Sequence, residues 1–324
     1  MHDLPAELTQ GPFTVARAVQ LGLTPEVLAG RRFRSPWPGV RVLATLPDSR
    51  ELRCRAAALV LPGDAAFSHE TAVELAGWLA PMVGDRRSTA YALRPVDPAD
   101  PVHVSFPTAH HPHGRGVIGH RFTPARDDVT IVSGLRVTSP WRTLCDLAAA
   151  GTGLEDLVIL ADALRRRFPG VAPVRLAARV DGWGSGRGAV SLRQALASSR
   201  DRVDSPMETR LRLMFAEAGL PEPEVNQWVR DADGHPIHQP DLSWPRWKVA
   251  ADYDGAHHAQ RDSDEAVRTG RASNWRQRQD NSRRDVMDDA GWRFRVFTAL
   301  DVYGRRDLAV ERMRRTLRAA GAPL

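Results

Sequence analysis

Pro240-Asp241 and Asp252-Tyr253-Asp254 place three carboxylates inside a stretch whose apolar residues otherwise read as a buried hairpin, and His257-His258 follows at once. The apolar runs Ile237 to Leu242 and Trp247 to Tyr253 flank a Pro245-Arg246 turn. Burying charge is costly unless something offsets it, and clustered carboxylates are most often balanced by a divalent cation. With Pro245-Arg246 as the turn, Leu242 pairs with Val249 and Asp241 with Ala250. Asp252 is then the diagonal neighbour of Asp241, with Cα atoms about 7–8 Å apart. That spacing suits two ligands of one Mg2+ or Mn2+ ion.

The elements around the hairpin follow from caps and periodicity. Ser205-Pro206-Met207-Glu208 opens a helix that runs to Ala218 and stops at Gly219. Glu208 lies three residues after Ser205, so it completes a capping box, serves as a ligand, or does both. A strand over Val225 to Val229 and a turn at Asp231 to Gly234 precede the hairpin. A basic helix over roughly 267–290 is followed by a strand, Arg293 to Phe297, and a last helix, Leu308 to Ala319. The order is α-β-β-β-α-β-α.

Two segments precede this one. Phe13 to Leu21 reads as a helix ended by Gly22, and Thr24-Pro25 opens a second helix to about Arg32. Pro36, Pro38 and Gly39 turn the chain into Val40 to Leu43, which outlines a small winged helix. Arg31, Arg32, Arg34 and Arg41 would lie on its second helix and wing, as DNA contacts or as solvated charge. From about residue 46 to 200, helices are expected over Arg50 to Leu61, Glu70 to Trp78 (capped by Ser68), Trp141 to Ala150 and Leu154 to Phe168. Strands are expected over Val102 to Phe106, Val117 to Phe122 and Val129 to Val132. His103, His110, His111, His113 and His120 crowd one part of this segment without a carboxylate or cysteine at ligand spacing. That leaves a solvated loop or a metal site. Gly182 to Gly188 reads as a flexible connection. The expected domains are 1–48, 49–200 and 201–324, in an α/β (α+β) chain.

Composition restrains the functional reading. Of 45 basic residues only Lys248 is a lysine, a skew that fits GC-rich codon usage better than selection for a basic surface. Residues 201–324 hold 21 basic and 21 acidic side chains, so bulk charge does not argue for nucleic acid there. A local run does: Arg268, Arg271, Arg276, Arg278, Arg283 and Arg284 interleave with Asn274, Trp275, Gln277 and Gln279. The run reads as a phosphate-tracking surface or as a solvated face. Cys54 and Cys145 are too few for a disulfide framework or zinc knuckle. With no apolar run of 18 residues and no basic-then-apolar start, a cytoplasmic protein without membrane partners is expected.

Pro-Asp, a hairpin and Asp-x-Asp after a helix bearing Glu208 resemble the PD-(D/E)xK nuclease core. More closely, Ser205 to Pro221, Gln239 to Trp244, Val249 to His258 and Arg283 to Phe297 resemble a bacterial family related to the very short patch repair endonucleases. The resemblance implies a restriction-endonuclease-like core with a central mixed sheet flanked by helices. It implies Asp241 and Asp252 as metal ligands, Glu208 orienting metal or water, and His257 or His258 near the attacking water. Arg283 and Arg284 would hold the phosphate backbone, with Arg276 and Arg278 beside them. Asp254 occupies the place of the motif lysine, which adds negative charge where the family has positive. Residues 1 to about 165 resemble, less strongly, winged-helix antitoxins of type IV abortive-infection toxin–antitoxin systems, through GPFTVARAVQLGLT, PGVRVL, SHETAVELAGW and VTSPWRTLCDLA. The expectation is a Mg2+-dependent DNA endonuclease or nicking enzyme. The alternative is a catalytically weak DNA-binding regulator with a cognate toxin as partner.

Overall fold

A computed structural model describes residues 4–78, 97, 99–107, 116–231, 233–254 and 283–324. The chain has the expected α+β content and forms two compact units that part between Gly151 and Thr152. The expected helix at residues 154–168, and two further helices before residue 200, therefore belong to the C-terminal unit.

The first unit opens with β1 (Phe13–Thr14), α1 (Val15–Gln20), α2 (Pro25–Leu28), β2 (Phe33–Arg34) and β3 (Val40–Leu43). Its sheet has the antiparallel order β1-β3-β2. Thr14 and Thr24 cap the two helices through their hydroxyls. The first helix is thus shorter than expected, because Phe13 and Thr14 pair with β3. The second ends at Leu28, which puts Arg31 and Arg32 in the turn after it rather than on a helix. Phe13, Ala18, Leu28 and Phe33 pack beneath.

The rest of this unit comprises α3 (Arg50–Ala58), β4 (Ala66–Phe67), α4 (His69–Ala76), β5 (Val102–Phe106), β6 (Val117–Arg121), β7 (Val129–Val132), β8 (Leu135–Thr138) and α5 (Pro140–Ala150). The five strands form one mixed sheet in the order β6-β5-β4-β8-β7. β5 and β6 run parallel, in a register that sets Ser105 opposite His120. Arg142 on α5 is buried between Asp128 and Asp146, at 2.9 and 2.7 Å.

The second unit begins with α6 (Leu154–Arg167), α7 (Ala172–Trp183) and α8 (Ala189–Ser198). Gly182 to Gly188 covers the end of α7 and its turn into α8, with Gly184 and Gly188 at φ of 60° and 81°. Then come α9 (Pro206–Glu217), β9 (Glu224–Val225), β10 (Val229–Arg230), β11 (Pro236–His238), β12 (Leu242–Trp244), β13 (Val249–Asp254), helical residues 283–289, β14 (Arg293–Thr298), α10 (Ala299–Tyr303) and α11 (Arg306–Ala319). The main sheet has the order β14-β13-β12-β9, with β13 parallel to β14 and antiparallel to β12. Two expected strands divide. Val225 and Val229 belong to different sheets, and so do Ile237 and Leu242, because β10 and β11 form a ribbon of their own.

Alternation along β13 separates two environments. Val249 and Ala251 join Leu211, Phe215, Leu242, Phe297 and Met313 in the larger core, between α9 and α11. Ala250 faces the other way, onto Val229, Met287 and Phe294. Asp252 shares that second face by parity.

α9 is fastened to α6 by a buried ionic node. Asp162 accepts from Arg212 at 3.1 Å, from the Thr209 hydroxyl at 2.8 Å and from the Arg200 backbone N–H at 2.6 Å. Arg212 is only 1% exposed. Removing one partner of such a pair strands the other charge. Asp162→Ala is therefore expected to destabilise the fold by about 3–5 kcal/mol in denaturant titration. Asp162→Leu combined with Arg212→Met is expected to recover most of that loss.

Candidate metal centre of the C-terminal unit

The hairpin register differs from the expected one. Trp244 pairs with Val249, Ser243 with Ala250 and Leu242 with Ala251. The turn is a 3-10 segment, Pro245–Trp247, closed by Lys248 in the left-handed region at φ 50°. This longer turn shifts the pairing, so the register carried one step further sets Asp241 opposite Asp252, not Ala250. The two aspartates are therefore direct rather than diagonal neighbours. Lys248 stands at the far end of β13 from Asp254, where its Nζ donates to the Ala290 carbonyl at 3.2 Å.

Each aspartate is clasped by the other's strand. The Tyr253 N–H donates to Asp241 Oδ2 at 2.6 Å, and the Asp241 N–H donates to Asp252 Oδ1 at 3.1 Å. Where the β12–β13 ladder ends, these carboxylates accept from one backbone N–H on each arm of the hairpin in place of ladder carbonyls. The other oxygen of Asp252 lies 2.9 Å from His238 Nε2 and 4.0 Å from Arg283 Nη1. His238 also sets its ring edge-on against Phe294, with centroids 5.4 Å apart.

Glu208 approaches from the first turn of α9, and it is buried. Its N–H donates to Ser205 Oγ at 3.2 Å, which is half of the expected capping box. Its carboxylate meets the Ser205 side chain but does not close the box at the Ser205 backbone N–H. Oε2 instead accepts from the Asp204 N–H at 2.9 Å and from Asn226 Nδ2 at 2.7 Å. Asn226, at φ 48°, links this carboxylate to the hairpin, because its own N–H donates to the Asp241 carbonyl at 3.1 Å. Asparagine tolerates that backbone region better than most residues.

The electrostatics follow from this crowding. Burial raises the Asp241 carboxyl to about 8, and the Glu208 and Asp252 carboxylates add to the effect. Burial also raises Glu208, against the hydrogen bonds that favour its charged form. Three acids, two buried and Asp241 partly so, thus share one corner in which ionisation of Asp241 is resisted. A divalent cation would remove that resistance, and an oxygen-rich set of this kind suits Mg2+ or Mn2+. The groups of three or more ligand atoms that already lie within 4.8 Å of one another, among the described residues, are elsewhere: His69, His103 and His120, and Asp231, Asp233 and His235.

The remaining expected residues fall as follows. Asp254 is exposed, at the end of β13 opposite Thr298. Arg283 and Arg284 are exposed at the start of helical residues 283–289. Arg31 and Arg32 are exposed in the first unit, whereas Arg34 pairs with Asp48 and Arg41 donates to the Leu28 carbonyl. His257, His258, Arg276 and Arg278 lie outside the described residues. His238 and Asn226 escaped sequence reasoning. His238 sits three residues before Asp241, in a stretch that reads as one continuous strand, and only the break between β11 and β12 aims it at Asp252.

No family model matches the chain. It is 30% identical over 139 residues to two proteins of Mycobacterium tuberculosis, both named as uncharacterized: MT2308 of strain CDC 1551 / Oshkosh and Rv2248 of strain ATCC 25618 / H37Rv. The match covers 43% of this chain and 49% of each relative, so the chain spans about half the length of the curated relatives it matches. No helix among the described residues is long and apolar enough to cross a membrane.

The raised Asp241 carboxyl has a measurable sign. Its folded pKa of about 8 lies above the ordinary carboxylate value near 3.9, so the folded state holds this proton where the unfolded chain has released it. Stability of chelator-treated protein is thus expected to fall as pH rises from about 4 to 8. Asp241→Asn is expected to flatten that dependence and to melt higher than wild type at pH 8, with the difference shrinking toward pH 5. Thermal melts across this range check it.

Proposed function

We propose that the C-terminal unit hydrolyses phosphodiester bonds of duplex DNA, with Mg2+ or Mn2+ held by Asp241 and Asp252. The observation that carries this reading is the juxtaposition of these two carboxylates with Glu208, where burial, and then the Glu208 and Asp252 carboxylates, raise Asp241 to about 8. A bound ion would supply Lewis acidity at the scissile phosphate and a water of lowered pKa. His238 holds one oxygen of Asp252 in place and is a positioning residue. Glu208, anchored by Asn226 and Asp204, keeps a third carboxylate at the corner. Arg283 and Arg284 stand at the exposed edge, where they would meet backbone phosphate, and Arg276, Arg278, His257 and His258 belong to the same proposal.

Asp254 favours a second reading, a DNA-binding regulator that cleaves nothing and pairs with a cognate toxin. Arg31 and Arg32 would then meet DNA from the first unit. An exposed aspartate at the end of β13 repels a phosphodiester where the nuclease pattern has a lysine. The clasp of backbone N–H groups also gives Asp241 and Asp252 a structural role that needs no metal.

Incubation of supercoiled plasmid with purified protein and Mg2+ or Mn2+ separates the two readings. The nuclease reading expects nicking that chelator stops, and that Asp241→Ala or Asp252→Ala reduces by at least about a hundredfold. One well-placed cationic donor at developing charge is worth about 10²–10³ in rate. Asp254→Lys is accordingly expected to raise nicking at least about tenfold. A folded protein that retards DNA but never nicks it, as wild type or as Asp254→Lys, leaves the regulator.

A further inference from the structure

The first unit gathers three imidazoles that the sequence keeps apart. His69 begins α4, His103 lies on β5 and His120 on β6. Their rings stack: the centroids of His69 and His120 are 3.6 Å apart, and those of His103 and His120 are 5.1 Å apart. His103 Nδ1 lies 2.9 Å from His120 Nε2 and 3.2 Å from Glu70 Oε2. One ligand nitrogen from each histidine lies within 4.8 Å of the other two.

We propose that His69, His103 and His120, with the Glu70 carboxylate beside them, form a binding site for a late first-row divalent metal ion, Zn2+ being the archetype. The donor spacing is the first argument. Zinc–nitrogen bonds of about 2.0–2.1 Å place the corners of a tetrahedron about 3.3 Å apart. The His103–His120 and His103–Glu70 separations already lie near that edge length. The donor set is the second argument, since three imidazoles and one carboxylate suit zinc and disfavour Mg2+.

The surroundings support the assignment. Ser68 Oγ lies 3.0 Å from His69 Nδ1, which leaves Nε2 as the nitrogen that His69 would offer to a metal. Ser105 is opposite His120 in the parallel ladder and two residues from His103, so it shares their face of the sheet. Its hydroxyl is buried and has no hydrogen-bond partner among the described residues, so it could serve a water or anion on the metal. This site lies in the first unit and does not depend on the nuclease reading.

The test uses full-length protein stripped with chelator and then titrated with Zn2+ against a chromophoric competitor, with Mg2+ in excess. Wild type is expected to take up one equivalent. His103→Gln and His120→Gln, shown to be folded by circular dichroism, are expected to bind more than about a hundredfold more weakly. A combined His110→Ala, His111→Ala, His113→Ala variant is expected to bind like wild type. X-ray absorption at the zinc edge of wild type is expected to count three imidazole nitrogens, which needs no variant to fold. The proposal is overturned if wild type takes up no zinc, if His120→Gln retains it, if the triple variant loses it, or if the edge spectrum shows fewer than three imidazoles.

Discussion

The C-terminal unit is governed by a charge constraint: three carboxylates occupy one largely buried corner, and the chain supplies mainly dipoles to meet them. Asp241 is met by a backbone N–H, Asp252 by a backbone N–H and His238, and Glu208 by a backbone N–H and an amide. Arg283 approaches Asp252 only at 4.0 Å and from an exposed position. Dipoles lower the cost of a buried charge without cancelling it. The sheet, the left-handed Asn226 and the first turn of α9 are all arranged to deliver those dipoles, so the corner organises the scaffold as much as the scaffold forms the corner.

What fixes the corner in space is the position of β13. It is paired on both sides, with β12 antiparallel and β14 parallel, and each ladder sets the register independently. α9 brings Glu208 from across the larger core, and the Asp162 node ties that helix to α6. A site built on a central strand and a doubly anchored helix has little freedom to drift, which is the condition for precise ligand geometry.

Part of this was legible in the sequence. The alternation of Val249 to Tyr253 and the cap at Ser205 follow from local rules that the structure obeys, whereas two of the expected strands divide between sheets. The register did not, because it depends on a 3-10 turn and on Lys248 adopting a left-handed backbone, neither of which a Pro-Arg pair announces. His238 was hidden by a strand break that only tertiary pairing with β10 creates. The His69 cluster was hidden because His103 lies 34 positions further along the chain, and nothing local reveals that β5 and β6 run parallel. Long-range pairing decided what short-range pattern left open.

The end of β13 has one further consequence. Residue 254 lies beyond the β12 ladder but is still paired with Thr298 of β14, so its backbone is held while its side chain faces water. Such a position can change its charge without disturbing the core, the register or the clasp. It behaves as a dial set into a rigid frame. A lineage can turn that dial through single substitutions, altering the potential over the corner by a full unit of charge or two while the fold beneath stays the same. Divergence among relatives of this chain is therefore free to concentrate at this strand tip, where the scaffold exerts no veto.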